Sequence, residues 1–201
     1  MPAIVLAIGA TDPSSGAGIA ADLRMLTSVG IWGTSAITAI TVQDTRGVEG
    51  VYPLDPSWVA RQIDVVVEDL PPSAVKIGAL GSGDVASAVA SALERNHLQN
   101  IVLDPVVLSS SGALLLDSPG VEVLQRRLLP LCRVLTANWA ELALFSGLSV
   151  DCDDAAVEAA SAIVALGCDA VLAKGGHSND PSRSVDFLVD SSGQVQRYEA
   201  H

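Results

Sequence analysis

Residues 3–24 read AIVLAIGATDPSSGAGIAADLR: an apolar run closes at Gly9 in a turn of small residues, and the turn leads into a helix. That order opens a strand–turn–helix unit. Such a turn leaves backbone N–H groups free at a helix N-terminus, a natural place for an anion or a polar ring. Working outward, β-branched runs recur at Ala3–Ile8, Thr34–Val42, Ala74–Ile77, Ile101–Leu103, Val134–Thr136 and Ala170–Ala173. Helical stretches lie between them. Asp55 followed by Pro56 is a cap with proline at the first helical position, and Val59, Ile63, Val66, Val67 and Leu70 then repeat on one face. Val85, Val89 and Leu93 form a second stripe, Leu124, Leu128 and Leu131 a third, and Val157, Ile163 and Leu166 a fourth that Gly167 ends. The alternation predicts an α/β fold, a doubly wound and mostly parallel sheet with helices on both faces. After Gly176, VDFLVD, a Ser-Ser-Gly turn and QVQRYEAH predict a hairpin whose second strand runs to His201. No linker or repeat interrupts residues 1–201, which are expected to form a single domain.

Composition narrows the function. Eleven basic against 23 acidic side chains leave a net charge of −12, and the nine arginines and two lysines form no cluster. Nucleic-acid binding, which needs a basic face, is excluded, and partners are expected to be small molecules. Hydrophobic residues reach 49% with only 3% aromatics, so the core must be Ala, Val, Leu and Ile, as suits helices on a buried parallel sheet. No apolar run approaches the ~20 residues of a membrane span, and the short first strand lacks a basic flank, so no membrane partner and a cytoplasmic location are expected. Cys132, Cys152 and Cys168 are far apart and are expected to be reduced, mostly buried thiols.

Several residues can carry chemistry, each with a plainer alternative. Gly16-Ala17-Gly18 with Ala21 fits a loose dinucleotide fingerprint, with Asp44 as its ribose acid. Against it, Ala10 to Ser15 and a proline separate the strand from the first glycine. Asp22, one turn beyond Gly18, either returns its carboxylate to the mouth of the turn or is an exposed helix acid. Gln43 ends the long second strand, where an amide over the sheet edge presents a donor and an acceptor to a heterocycle. Asp104 follows the strand IVL, and the loop VVLSSSG after it offers hydroxyls to phosphate or water. In TANWAEL, Asn138 and Glu141 stand three residues apart, as a hydrated Mg²⁺ or a capping box requires. Lys174 ends a buried strand before Gly175 and Gly176, either as a cation for nucleotide phosphates or as a lysine snorkelling from a strand edge.

Taken together, TDPSSGAGIAADL from Thr11, ITVQDTRGV from Ile40, VKIGALGS from Val75, VLDPVVLSSSG from Val102, TANWAEL from Thr136 and AKGGH from Ala173 resemble the hydroxymethylpyrimidine and phosphomethylpyrimidine kinases of thiamine biosynthesis. These belong to the ribokinase-like superfamily, which also holds pyridoxal kinases. The resemblance implies ATP and Mg²⁺ as cofactors and an aminopyrimidine pocket made by Ala10, Asp22, Gln43, Ala79 and Val106. It also implies Asp104 and Lys174 near the nucleotide phosphates and Asn138 and Glu141 at a Mg²⁺-water site. Gly9-Ala10 stands where the family has Ala-Gly, Ala79 where it has methionine, and Ala137 where it has proline. The family's Gly-Thr-Gly-Cys or Gly-x-Gly-Asp turn, with its anion hole and its base or equivalent, is expected beyond His201. The domain is therefore expected to be incomplete at its C-terminus, with low phosphoryl transfer by residues 1–201 alone, and to self-associate through an uncovered edge strand. Two other functions fit some of these residues: a non-catalytic pyrimidine-binding remnant, and a dinucleotide-dependent oxidoreductase. Gln43 suits a pyridoxal-type ring as well as a pyrimidine.

Overall fold

The computed structural model describes residues 2–108, 112, 114–175 and 184–200. Two compact units divide the chain, Met1–Leu128 and Leu129–His201.

In the first unit the elements run β1 (Ile4–Gly9), α1 (Gly18–Ser28), β2 (Trp32–Ile37), β3 (Ala39–Gln43), β4 (Val48–Pro53), α2 (Pro56–Asp69), β5 (Ala74–Ile77), α3 (Gly83–Arg95), β6 (Ile101–Leu103) and α4 (Ser118–Val123). Strands β2, β1, β5 and β6 lie side by side in that order, all parallel. Leu6, Ala7, Ile8, Ile77 and Leu103 are fully buried, as continuous apolar strands in a parallel sheet must be. The Asp55 side chain accepts from Ser57 N, with Pro56 at the first helical position, so the expected start of α2 is the observed one. Ser82 caps α3, which buries Val85, Val89 and Leu93.

Two expectations need correction here. The run Thr34–Val42 is two strands in two sheets, because the chain leaves the parallel ladder at Thr38. Thr38 N donates to Gly9 O, Thr38 Oγ1 donates to Ala79 O at 2.7 Å, and Leu54 N donates to Thr38 O. Beyond it, β3 pairs antiparallel with β4, a strand with no counterpart in the sequence reading, to make a separate two-stranded flap. The stripe Leu124 to Leu131 is not one regular helix. After α4 comes a π-helical turn at Leu124–Leu128 and a 3₁₀ turn at Leu129–Leu131, where Pro130 has no N–H with which to continue a helix.

The second unit holds β7 (Cys132–Asn138), α5 (Trp139–Ser146), α6 (Asp153–Val164), β8 (Ala170–Lys174), β9 (Ser184–Asp190) and β10 (Val195–Ala200). β7 and β8 are parallel, while β9 pairs antiparallel with both β8 and β10. The expected hairpin is therefore present, its turn held by Asp190 Oδ1, which accepts from Ser192 N and Gln194 N. His201, Gly176 and Ser109 to Ser111 of the sequence reading lie outside the described residues.

Cys132 and Cys168 are buried and Cys152 is exposed. Burial, with Cys168 beside it, pushes the Cys132 thiol far up, and burial raises Cys168 as well. A thiol reagent at neutral pH is expected to modify Cys152 in the folded chain and to reach the other two only on unfolding. Fast reaction of two or more thiols in the folded protein would contradict this burial.

Candidate active site

At the end of β1 the chain turns through Ala10–Ala17 into α1, and Asp12 organises the turn. Its Oδ1 accepts from Ser14 N and Ser14 Oγ, both at 2.8 Å, and its Oδ2 accepts from Ala17 N at 2.8 Å. Burial raises the Asp12 pKa, but the bonds from Ser14, Ala17 and Gly16 outweigh it and hold the carboxyl below the usual range. Ser15 N donates to Asp12 O and Ile19 N to Ala10 O. The turn's amides are thus largely consumed within the turn, and it forms a shaped wall rather than the expected set of free N–H groups. Gly18, at φ +60°, is required: a Cβ there would stand 2.5 Å from Ala10 O.

This wall is one side of a cavity of about 340 Å³ in the first unit. All five residues expected to hold the ring line it: Ala10, Asp22, Gln43, Ala79 and Val106. Asp104, expected near the nucleotide, lines it too. Asp22 comes from α1, so its carboxylate does return to the mouth of the turn. Gln43 arrives by another route than expected. It ends β3 on the flap, not a strand of the parallel sheet, next to a register shift at Val42. Thr41 Oγ1 lies 3.3 Å from Gln43 Oε1 and 2.8 Å from Thr11 O, and Thr41 N donates to Thr11 Oγ1, so the flap is stitched to the first turn. Ala79 presents its carbonyl to Thr38. Val106 holds φ +40°, a strained conformation for a β-branched residue, where it meets the cavity.

Among the lining residues that the sequence reading did not assign to the site, Lys76 is the one with a charged side chain from the parallel sheet. Its Nζ lies 2.8 Å from Asp22 Oδ2, across 54 positions of sequence. The only available signal was a lysine inside the otherwise apolar strand AVKI. Asp44, the ribose acid of the dinucleotide reading, is spent on its own turn: it accepts from Arg46 N, the Arg46 guanidinium and Gly47 N. These bonds hold its carboxyl low.

In the second unit Asn138 and Lys174 are register partners at the ends of β7 and β8. Asn138 also caps α5. Its Oδ1 accepts from Glu141 N at 2.9 Å, while Glu141 Oε2 accepts from Asn138 N at 3.0 Å, a complete capping box. Glu141 is buried. An amide, a carboxylate and an ammonium thus gather at one end of a parallel strand pair, where α/β proteins place ligands. Among the described residues no cluster of three or more His, Cys, Asp or Glu could hold a metal by itself.

The fold is that of the ribokinase-like small-molecule kinases. A phosphomethylpyrimidine kinase from Clostridium difficile superposes with a TM-score of 0.90 at 36% identity, over 99% of this chain and 85% of that one. The pyridoxal kinase of Bacillus subtilis, solved as an ADP complex, gives 0.89 at 28% identity, over 100% of this chain and 75% of that one. In sequence, the hydroxymethylpyrimidine/phosphomethylpyrimidine kinase of Escherichia coli is 43% identical over 196 residues, 97% of this chain and 73% of that protein. The phosphomethylpyrimidine kinase family model matches residues 12–201, and the chain belongs to that family.

Proposed function

We propose that this protein phosphorylates 4-amino-5-hydroxymethyl-2-methylpyrimidine and its monophosphate at the expense of ATP, a step of thiamine biosynthesis in the cytoplasm. The observation that carries this reading is that Asp22 and Gln43 line one cavity together with Ala10, Ala79 and Val106. It gives an amide and a carboxylate to the polar edges of a ring and small apolar side chains to its faces.

ATP with Mg²⁺ supplies the phosphoryl group and neutralises its charge when bound. The second unit's strand ends suit that partner. Lys174 brings the cation that phosphate oxygens need, and the oxygen donors of Asn138 and Glu141 fit a hydrated Mg²⁺. Because Asn138 Oδ1 and Glu141 Oε2 each accept a backbone N–H, the pair would act through bound water, held rigid by the capping box. In-line phosphoryl transfer depends mainly on such positioning.

Calorimetry of the chain with hydroxymethylpyrimidine tests the reading. Gln43→Ala is expected to weaken binding by about 1–3 kcal/mol, since a polar edge of the ligand loses its partner. An unchanged dissociation constant would remove Gln43 from the site. Failure of the unaltered chain to bind would overturn the function.

A further inference from the structure

Lys76 sits at the third position of β5, between Val75, 1% exposed, and Ile77, fully buried. A charged side chain in such a strand needs a partner, and Asp22 provides it. A partly screened ion pair of this kind adds little stability, so stability alone is a weak reason for it. Two further features point into the cavity, which both side chains line. First, Gly78 does not have a positive φ, and a Cβ there would stand 2.9 Å from Lys76 Nζ, so the ammonium lies against this stretch of backbone and would have to move if a side chain replaced the glycine's hydrogen. Second, Asp22 Oδ1 and the remaining ammonium hydrogens meet no other protein group among the described residues. The pair therefore presents an acceptor beside a donor.

Resting on the functional reading above, we infer that Lys76 is a specificity-determining residue that forms, with Asp22, a donor–acceptor edge for the amidine side of the aminopyrimidine. A 4-aminopyrimidine carries a ring nitrogen that accepts beside an exocyclic amino group that donates, the complement of this edge. The ligand is neutral there, so the charge balance of the pair is kept. A ring with CH in place of that nitrogen leaves the ammonium without its acceptor, and sites built to hydrogen-bond reject such analogues.

The test compares dissociation constants of two ligands: the aminopyrimidine alcohol, and the same alcohol with CH in place of the ring nitrogen beside the amino group. Lys76→Met is expected to weaken the compound with the ring nitrogen about ten- to a hundredfold, the loss of a charged hydrogen bond, and the other ligand less than about threefold. Gly78→Ala keeps the charge but displaces the ammonium, and is expected to shift the preference in the same direction. Equal losses for both ligands in both variants would make Lys76 a packing residue and overturn the inference, as would an unaltered preference. Absence of binding by the unaltered chain would instead overturn the functional reading itself, and this inference with it.

Discussion

Gly175→Ala is expected to destabilise the Leu129–His201 unit by more than about 4 kcal/mol, the range reached only by exceptional substitutions. A Cβ at this position would lie 1.7 Å from Val185 O and 2.6 Å from Val185 C. Those atoms are the backbone of β9, which cannot swing aside as a side chain does. Gly175 N also donates to Asp186 Oδ1 at 2.7 Å, so the two segments are tied where the methyl group would intrude. Relief requires pulling the start of β9 away, which breaks that bond and loosens the nearby pairing of Ala173 with Phe187. Ordinary overpacking costs about 1–3 kcal/mol because side chains repack, and no such outlet exists here. Urea unfolding of the variant measures the loss. A stability within 1 kcal/mol of the unaltered chain, on the scale of an ordinary surface change, would show that β9 is free to shift.

Asp12→Ala is expected to lower stability by about 3–5 kcal/mol and to abolish ring binding, since one carboxylate holds the whole first turn. Removing it leaves Ser14 N and Ala17 N without their acceptors in a part-buried loop, and each unmet donor costs about 1–3 kcal/mol. The pH dependence carries a separate signature. The folded carboxyl titrates below its ordinary value of 3.8, so its stabilisation is complete above that value and fades as pH falls through the depressed one. The unaltered chain should therefore lose stability below about pH 4 more steeply than Asp12→Ala, which has already lost the contribution. Parallel acid profiles for the two proteins would show that Asp12 is not the anchor.

Much of this architecture was legible from short-range chemistry. The bounds of β5 and β6, the Asp55–Pro56 start of α2 and the final hairpin all follow from local patterns, and the Asn138–Glu141 spacing carried its capping box in plain view. The part that was not legible depends on distant partners. Nothing within Thr34–Val42 announces a change of sheet, because the bonds that impose it come from Gly9 and Ala79. Lys76 gains its meaning from Asp22, far away in sequence. The turn after β1 is different: Asp-Pro-Ser-Ser is a local signal for an aspartate that caps its own loop, so the use of those amides was readable. Alternating patterns also left Val48–Pro53 unassigned, since a glycine and a proline within six residues weaken any strand signal.

The departure at Thr38 bears on how this pocket can change over generations. Ala39–Pro53 has its own ladder, is fastened by threonine hydroxyls, a backbone bond from Thr11 N to Ala39 O and the burial of Ala39, and it carries Gln43. Asp22, Lys76 and Asp104 belong instead to the parallel scaffold, whose apolar strands tolerate little alteration. Mutations in the flap can thus sample new ligand preferences while the scaffold keeps its fold, so innovation and foldability are written at separate addresses in the same gene.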